Sequence, residues 1–218
     1  MSTVPADVLR DLAPTGKLRA AINQGNVVLA QKSPSGEPVG VTVDLTRELA
    51  KCLGVVLEMI TFDAAGKVFA ALETNVWDIA FLAIEPVRAA QIEFTLPYVQ
   101  IEGVYVVPAN SPLKNPAEID SAGMRIAVAK GSGYDLFLTR TIKNATLIRA
   151  GTGPEALMMF VSEKLEAAAG VRKPVVDFVD ENPGLRVIEP RFMVIEQAMG
   201  TPKGRLAGVA YSSNSSKR

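Results

Sequence analysis

The feature that most constrains this chain is an alternation that runs through it twice. Residues 18–22 read as a strand, followed by the polar loop Asn23-Gln24-Gly25-Asn26. A helix carrying Asp44 in its cap or first turn comes next, with Leu45, Leu49, Cys52 and Leu53 at helical spacing and Gly54 as a left-handed stop. Residues 55–61 read as a strand, 65–73 as a helix and 78–83 as a nearly all-apolar strand. The order then recurs: strand 125–129, the tight loop Lys130-Gly131-Ser132-Gly133, helix 134–143, strand 145–149, helix 154–164 and strand 165–169. Apolar strands alternating with helices predict parallel sheets covered on both faces. Two such runs predict two α/β lobes.

Between the runs lies 102–108, extended and apolar, which fits a β-like crossing from lobe to lobe. A second extended run, 192–199, is placed to carry the chain back. The expected organisation is therefore lobe one over 1–106, lobe two over 107–191, a return over 192–209, and a polar tail over 210–218 expected to be disordered.

Composition removes several function classes. Among 218 residues histidine is absent, which takes away the usual general base, the histidine-dependent nucleophile arrangements and most zinc and iron sites. A lone cysteine, Cys52, allows no internal disulfide or thiolate cluster and reads as a small core residue. Lys plus Arg and Asp plus Glu are 23 each, so no charge excess points to nucleic acid or an anionic membrane. No apolar run approaches the roughly 18 residues of a membrane span. The N-terminus carries Asp7 and Asp11 without a basic start and apolar core, so it does not read as a secretory signal, and the chain as written is expected in the cytoplasm. No cofactor or metal is expected.

Ligands of open α/β sheets bind beyond the carboxyl ends of the strands. Three loops are placed there: 23–26 with Gln24 and Asn26, 83–88 with Ala83 and Arg88, and 130–133 with Ser132 and Gly133. Glycine-rich backbone opening a helix suits an anion, though an ordinary capped turn has the same pattern. Arg88 and Arg172 each follow an apolar strand, where a guanidinium can grip a carboxylate through two parallel bonds or simply face solvent. Glu85 and Glu102 are candidates for an acid-base pair, but nothing in the sequence shows that they meet.

The segments LRAAINQGN, GEPVGVTVDLTRELAKCLG, WDIAFLAIEPVRAAQIEFTLPY, MRIAVAKGSGYDLF and AMGTPKG, in that order, resemble the bacterial periplasmic solute-binding proteins of the polar amino-acid type, substrate receptors of ABC transporters. The likeness runs from about Leu18 to Arg205. It implies the type II periplasmic-binding fold, two Rossmann-like lobes joined by two strands, with the ligand in the cleft between them. It implies a monomer that closes on its ligand, a permease as partner, and a periplasmic address. In that resemblance Arg88, preceding FTLPY, is the carboxylate clamp, while Ser132 and Gly133 donate to the same carboxylate. Ala83 stands where the family often has serine, so it offers only backbone.

Amino-acid binders usually place an acid after the last short strand of lobe two to hold the ammonium. Here that position is assigned to Val171, flanked by Gly170 and Arg172. The expectation drawn from this is a ligand without an α-amino group, or a dicarboxylate gripped by Arg88 and Arg172. Family members also continue for one or two helices past the GTPKG region, so helices are expected to be missing. A binding protein without enzymatic activity is the leading reading. The alternatives are a lyase resembling cyclohexadienyl dehydratases and a cytoplasmic ligand sensor.

Overall fold

The computed structural model describes residues 3–215. The elements run α1 (Ala6–Leu12), β1 (Lys17–Asn23), β2 (Gln31–Lys32), β3 (Pro38–Val39), α2 (Val41–Leu53), β4 (Val56–Phe62), α3 (Ala65–Ala70), β5 (Ile79–Ala83), α4 (Pro86–Ala89) and β6 (Ile92–Phe94). They continue with β7 (Val99–Pro108), β8 (Arg125–Ala129), α5 (Gly133–Thr141), β9 (Thr146–Ala150), α6 (Gly153–Ser162), β10 (Ala167–Val171), α7 (Arg172–Glu181), β11 (Leu185–Pro202) and α8 (Leu206–Ser215). Short 3-10 turns follow α3 and precede β8.

The chain forms two compact units. One comprises the residues up to Val99 together with those from Glu196 on, and the other is Gln100–Ile195. The division between the units falls inside β7, at 99/100, and inside β11, at 195/196.

In the first unit β1 is central. It runs parallel to β4 along its whole length, from Lys17 opposite Val56 to Asn23 opposite Phe62, and parallel to β5 at Ala20 and Ala21. The returning end of β11 lies antiparallel to β5, with Gln197 opposite Ala83, and pairs beyond it with β6. Every residue of β5 is buried, which is why its sequence IAFLA shows no polar alternation. One face packs Leu18, Ala20, Ile22 and Phe81 against α2 residues Val43, Leu49 and Leu53; the other packs Ala21, Ala80 and Leu82 against Val68 and Trp77. The α2 helix ends as expected on Gly54, at φ 68°.

In the second unit the strand order is β7-β10-β8-β9, with β11 beside β7. Strands β10, β8 and β9 are parallel, and β7 is antiparallel to β10 with Gly103 opposite Val171. Val104, Val106, Ala127, Ala168, Phe160 and Val175 build its core.

Three expectations change. Strand β10 starts and ends two residues later than read, so Gly170 and Val171 lie within it and Arg172 opens α7. Pro174 did not prevent that helix because it sits in the first turn, where its missing N–H is not needed. The expected disordered tail is helical through Ser215, with 216–218 outside the described residues. Two serines return their hydroxyls to the helix, Ser212 to the Gly208 carbonyl and Ser213 to that of Val209. The Gly208 N–H donates to Asp11 on α1 at 3.1 Å, and the Tyr211 hydroxyl donates to the Cys52 carbonyl. Tertiary contact, not propensity, holds α8. Cys52 itself is half-buried on α2 rather than fully in the core.

Candidate functional site

Each unit presents loops at the carboxyl ends of its parallel strands. In the first unit the loop after β1 is fixed by backbone. The Gln24 N–H donates to the Phe62 carbonyl at 2.7 Å, and the Asn23 side chain accepts from the Gly25 N–H at 3.0 Å. Glycine is required at position 25, because a Cβ there would lie 2.1 Å from the Asp63 carbonyl oxygen. Gln24 is half-buried. Asn26 is buried, its carbonyl caps the turn by accepting from Leu29 and Ala30, and its side-chain oxygen Oδ1 has no hydrogen-bond partner among the described residues.

The neighbouring loop follows β5. Glu85 precedes α4 in extended conformation, and its backbone carbonyl accepts the N–H groups of Arg88 and Ala89. The Arg88 guanidinium folds back so that Nη1 donates to the Ala83 carbonyl at 3.0 Å. Arg88 is fully buried and Glu85 nearly so. Burial pushes the guanidinium down to about 10, opposed by the negative charge of Glu85. Ala83, which has no polar side chain, contributes its carbonyl oxygen to this arrangement. Tyr98, which packs edge-on to Phe81, buries its hydroxyl without a partner among the described residues, and burial raises its pKa. Sequence reasoning did not single out Tyr98; its signal was the FTLPY segment itself.

In the second unit the loop after β8 is a capped helix start. Gly131 takes φ 69°, Ser132 is the N-cap of α5, and its hydroxyl accepts from the Asp135 N–H at 3.0 Å. Asp135 is buried and reaches back to accept the Gly131 N–H at 2.8 Å, while Arg149 Nε donates to its other oxygen at 2.9 Å. The Ser132 N–H is taken by the Ala129 carbonyl. Loop and helix thus consume part of the donor set that the sequence assigned to a ligand. The first-turn N–H groups of Gly133 and Tyr134 have no intrahelical acceptor by geometry. The Tyr134 phenol is pushed up to about 12, chiefly by burial.

Arg172 differs from its expected role as a second carboxylate grip. Its Nη1 and Nη2 donate to the two oxygens of Glu189 at 2.5 and 2.8 Å, and its Nε donates to Glu102. Arg191 donates to the other Glu102 oxygen at 2.6 Å. The pair formed with Glu189 holds the Arg172 guanidinium well above its ordinary range. The fork that would take a ligand carboxylate is therefore filled by the unit's own acids. Glu85 and Glu102, weighed as a catalytic pair, belong to different units, and Glu102 is engaged by two arginines. Among the described residues no group of three or more His, Cys, Asp or Glu side chains is placed to hold a metal ion. None of their helices is long and apolar enough to cross a membrane.

Comparison with solved structures identifies the architecture. Holo ArgBP from T. maritima superposes with a TM-score of 0.81 at 19% identity, covering 98% of this chain and 93% of that one. An ancestral arginine-binding protein bound to glutamine gives 0.78 at 22% identity over 93% and 91% of the two chains. An ancestral amino acid-binding protein described as a precursor of cyclohexadienyl dehydratase gives 0.78 at 22% identity over 96% and 92%. These likenesses show the type II periplasmic-binding fold that the sequence led us to expect. No curated protein matches the chain. The family model for bacterial extracellular solute-binding proteins, family 3, matches residues 18–205, and it spans both units, the Arg88 turn and the Ser132 loop. The chain belongs to the bacterial extracellular solute-binding proteins, family 3.

Proposed function

We propose that the protein binds a small carboxylate-bearing solute, an amino acid or a related organic acid, through Arg88, as the substrate-binding component of an ABC-type transporter. The observation that carries this reading is a fully buried guanidinium at the carboxyl end of β5, anchored on the Ala83 carbonyl. A buried cation is costly to maintain unless an anion meets it. In the second unit, taken by itself, the first turn of α5 and the Ser132 hydroxyl are also of a kind suited to a carboxylate. The solved relatives were captured with arginine or glutamine, which fits an amino acid as the solute. Arg172 has no part in this reading, which disfavours a dicarboxylate held at both ends. The family consists of extracellular proteins, which supports a place outside the cytoplasm and a permease as partner.

Thermal unfolding of the purified protein with single amino acids, dicarboxylates and aromatic keto acids tests the proposal. A ligand at ~100 times its Kd should add about 2.7 kcal/mol of stability. Arg88→Ala should abolish that gain while retaining a cooperative transition. A gain that survives the substitution would remove Arg88 from the site. Turnover of prephenate or arogenate would instead support a lyase on this fold.

A further inference from the structure

We infer that each unit carries the same register key, an arginine and an acid set abreast at the amino ends of two parallel strands, and that Arg125 and Glu166 are positioning residues for the loops of the second unit.

Strands β1 and β5 pair at Ala20 with Ile79 and at Ala21 with Ala80. Strands β8 and β10 pair at Ile126 with Ala167 and at Ala127 with Ala168. Every one of these residues is fully buried. Register is strongly specified where one face of a strand is buried and the other solvated, because a slip then turns apolar side chains out to water. Here both faces are buried and most of the paired residues are alanine, so neither polarity nor side-chain size fixes the alignment firmly. Something directional has to.

A polar clip stands at the start of each pair. In the first unit Arg19 precedes Ala20 and Asp78 precedes Ile79. The Arg19 N–H and Nε both donate to Asp78 Oδ2, at 3.2 and 2.8 Å, Nη2 donates to Oδ1 at 2.8 Å, and Nη1 donates to the Asn75 carbonyl at 2.8 Å. In the second unit Arg125 precedes Ile126 and Glu166 precedes Ala167. The Arg125 N–H and Nε both donate to Glu166 Oε2, at 2.8 and 3.0 Å, while Nη2 donates to Oε1 at 2.9 Å and to the Lys164 carbonyl at 2.8 Å. The match extends to the backbone. Asn75 and Lys164 take φ 52° and 51°, and among the described residues they are the non-glycine positions with positive φ. Each follows the helical segment that leads into the next strand, and each offers its carbonyl to the arginine. The glutamate side chain is one methylene longer than the aspartate, and its turn is one residue shorter.

The fork of a guanidinium meets both oxygens of a carboxylate only when the two residues lie side by side, so a slip of either strand breaks the whole set. In the second unit the side chains of Arg125 and Glu166 are 43% and 35% exposed. An ion pair that open to water adds little net stability. Its contribution is to choose between registers, the best-attested use of such pairs. A slip of two residues would displace the 130–133 loop by about 7 Å relative to the end of β10. The clip thus places, from the far end of the strands, the loops that the binding reading uses, whatever the solute.

The experiment compares the intact protein with the apolar double variant Arg125→Leu/Glu166→Leu, using cross-strand NOEs and amide hydrogen exchange read by NMR. Replacing both members of an ion pair by apolar side chains is often neutral for stability, so the variant should melt cooperatively near wild type. It should show a second set of resonances for β8 and β10, with contacts displaced from the Ile126–Ala167 pairing, and amides there should exchange at least about tenfold faster. Wild type should show one set. A single native register in the double variant, whatever its exchange rates, would overturn the inference and leave the clip a local brace. Should the double variant lose its cooperative melt, Arg125→Lys decides by the same reading, because lysine keeps the charge without the fork. A second register is then expected, and native contacts alone would overturn the inference.

Discussion

Asp78 and Glu102 each bridge two arginines, one in each unit. Asp78, just before β5, accepts from Arg19 Nε and Nη2 and from Arg205 Nη1, each at 2.8 Å, and its side chain is 0% exposed. Glu102 on β7 accepts from Arg172 and Arg191 with its side chain 33% exposed. The arginines that follow strands β5 and β10 divide the same way: Arg88 is enclosed, whereas the Arg172 side chain is 31% exposed and covered by acids. One residue pattern therefore has two meanings. In the first unit burial makes each charge depend on its partner. In the second, solvent shares the task, and the same contacts carry less energy.

The largest expected effect follows from that difference. Asp78→Asn leaves Arg19 and Arg205 without their anion while the terminal helices α1 and α8 are tied through them, Arg205 also donating to the Asp11 carbonyl at 2.8 Å. Breaking a buried pair from one side typically costs 3–5 kcal/mol, and because both guanidiniums keep some access to water we expect about 3 kcal/mol. Denaturant unfolding followed by far-UV circular dichroism measures it. A loss well under 1 kcal/mol, the range of exposed pairs, would mean that burial does not separate the two bridges.

Arg172→Gln is expected to act more weakly. It releases Glu189 and one bond to Glu102, both reachable by water, so the unfolding midpoint should fall by less than in Asp78→Asn, and high salt should narrow the gap to wild type. Ligand affinity should be unchanged, in contrast to Arg88→Ala. Loss of binding in Arg172→Gln would return it to the site and break the comparison.

This difference between Arg88 and Arg172 was only half legible in the sequence. Strands announced themselves through runs such as IAFLA and the IAVA of β8 because those residues are buried, and β8 begins and ends where it was read. Helix α2 was legible from its spacing and its glycine stop. The loops at the strand ends were placed by the alternation alone. What a loop does with its charges depends on residues remote in sequence: Glu102 and Glu189 lie 70 and 17 positions from Arg172. Asp135 was equally hidden, a helix residue that returns to occupy the Gly131 N–H. Helix α8 escaped notice because its stability comes from α1, on the far side of the chain, and not from YSSNS.

The smallest effect concerns acid. Arg191, and after it Arg172, hold the Glu102 carboxyl below its ordinary value of 4.5, and Arg172 does the same to Glu189. A carboxyl whose folded pKa is depressed binds fewer protons folded than unfolded over that interval. Its contribution is fully present above the ordinary value and is lost as pH falls through the folded one. Wild type should thus lose more stability than Arg172→Gln as pH drops from about 6 to about 3, so that the two curves converge in acid. Asp120, lowered by the Ala145 and Asn144 backbone N–H groups, and Glu166, lowered by Arg125, titrate alike in both proteins and cancel in the difference. Curves that stay parallel would show that the Arg172 contacts do not bias these protons. The exposed bridge would then contribute through geometry alone, and the contrast with Asp78 would be sharper still.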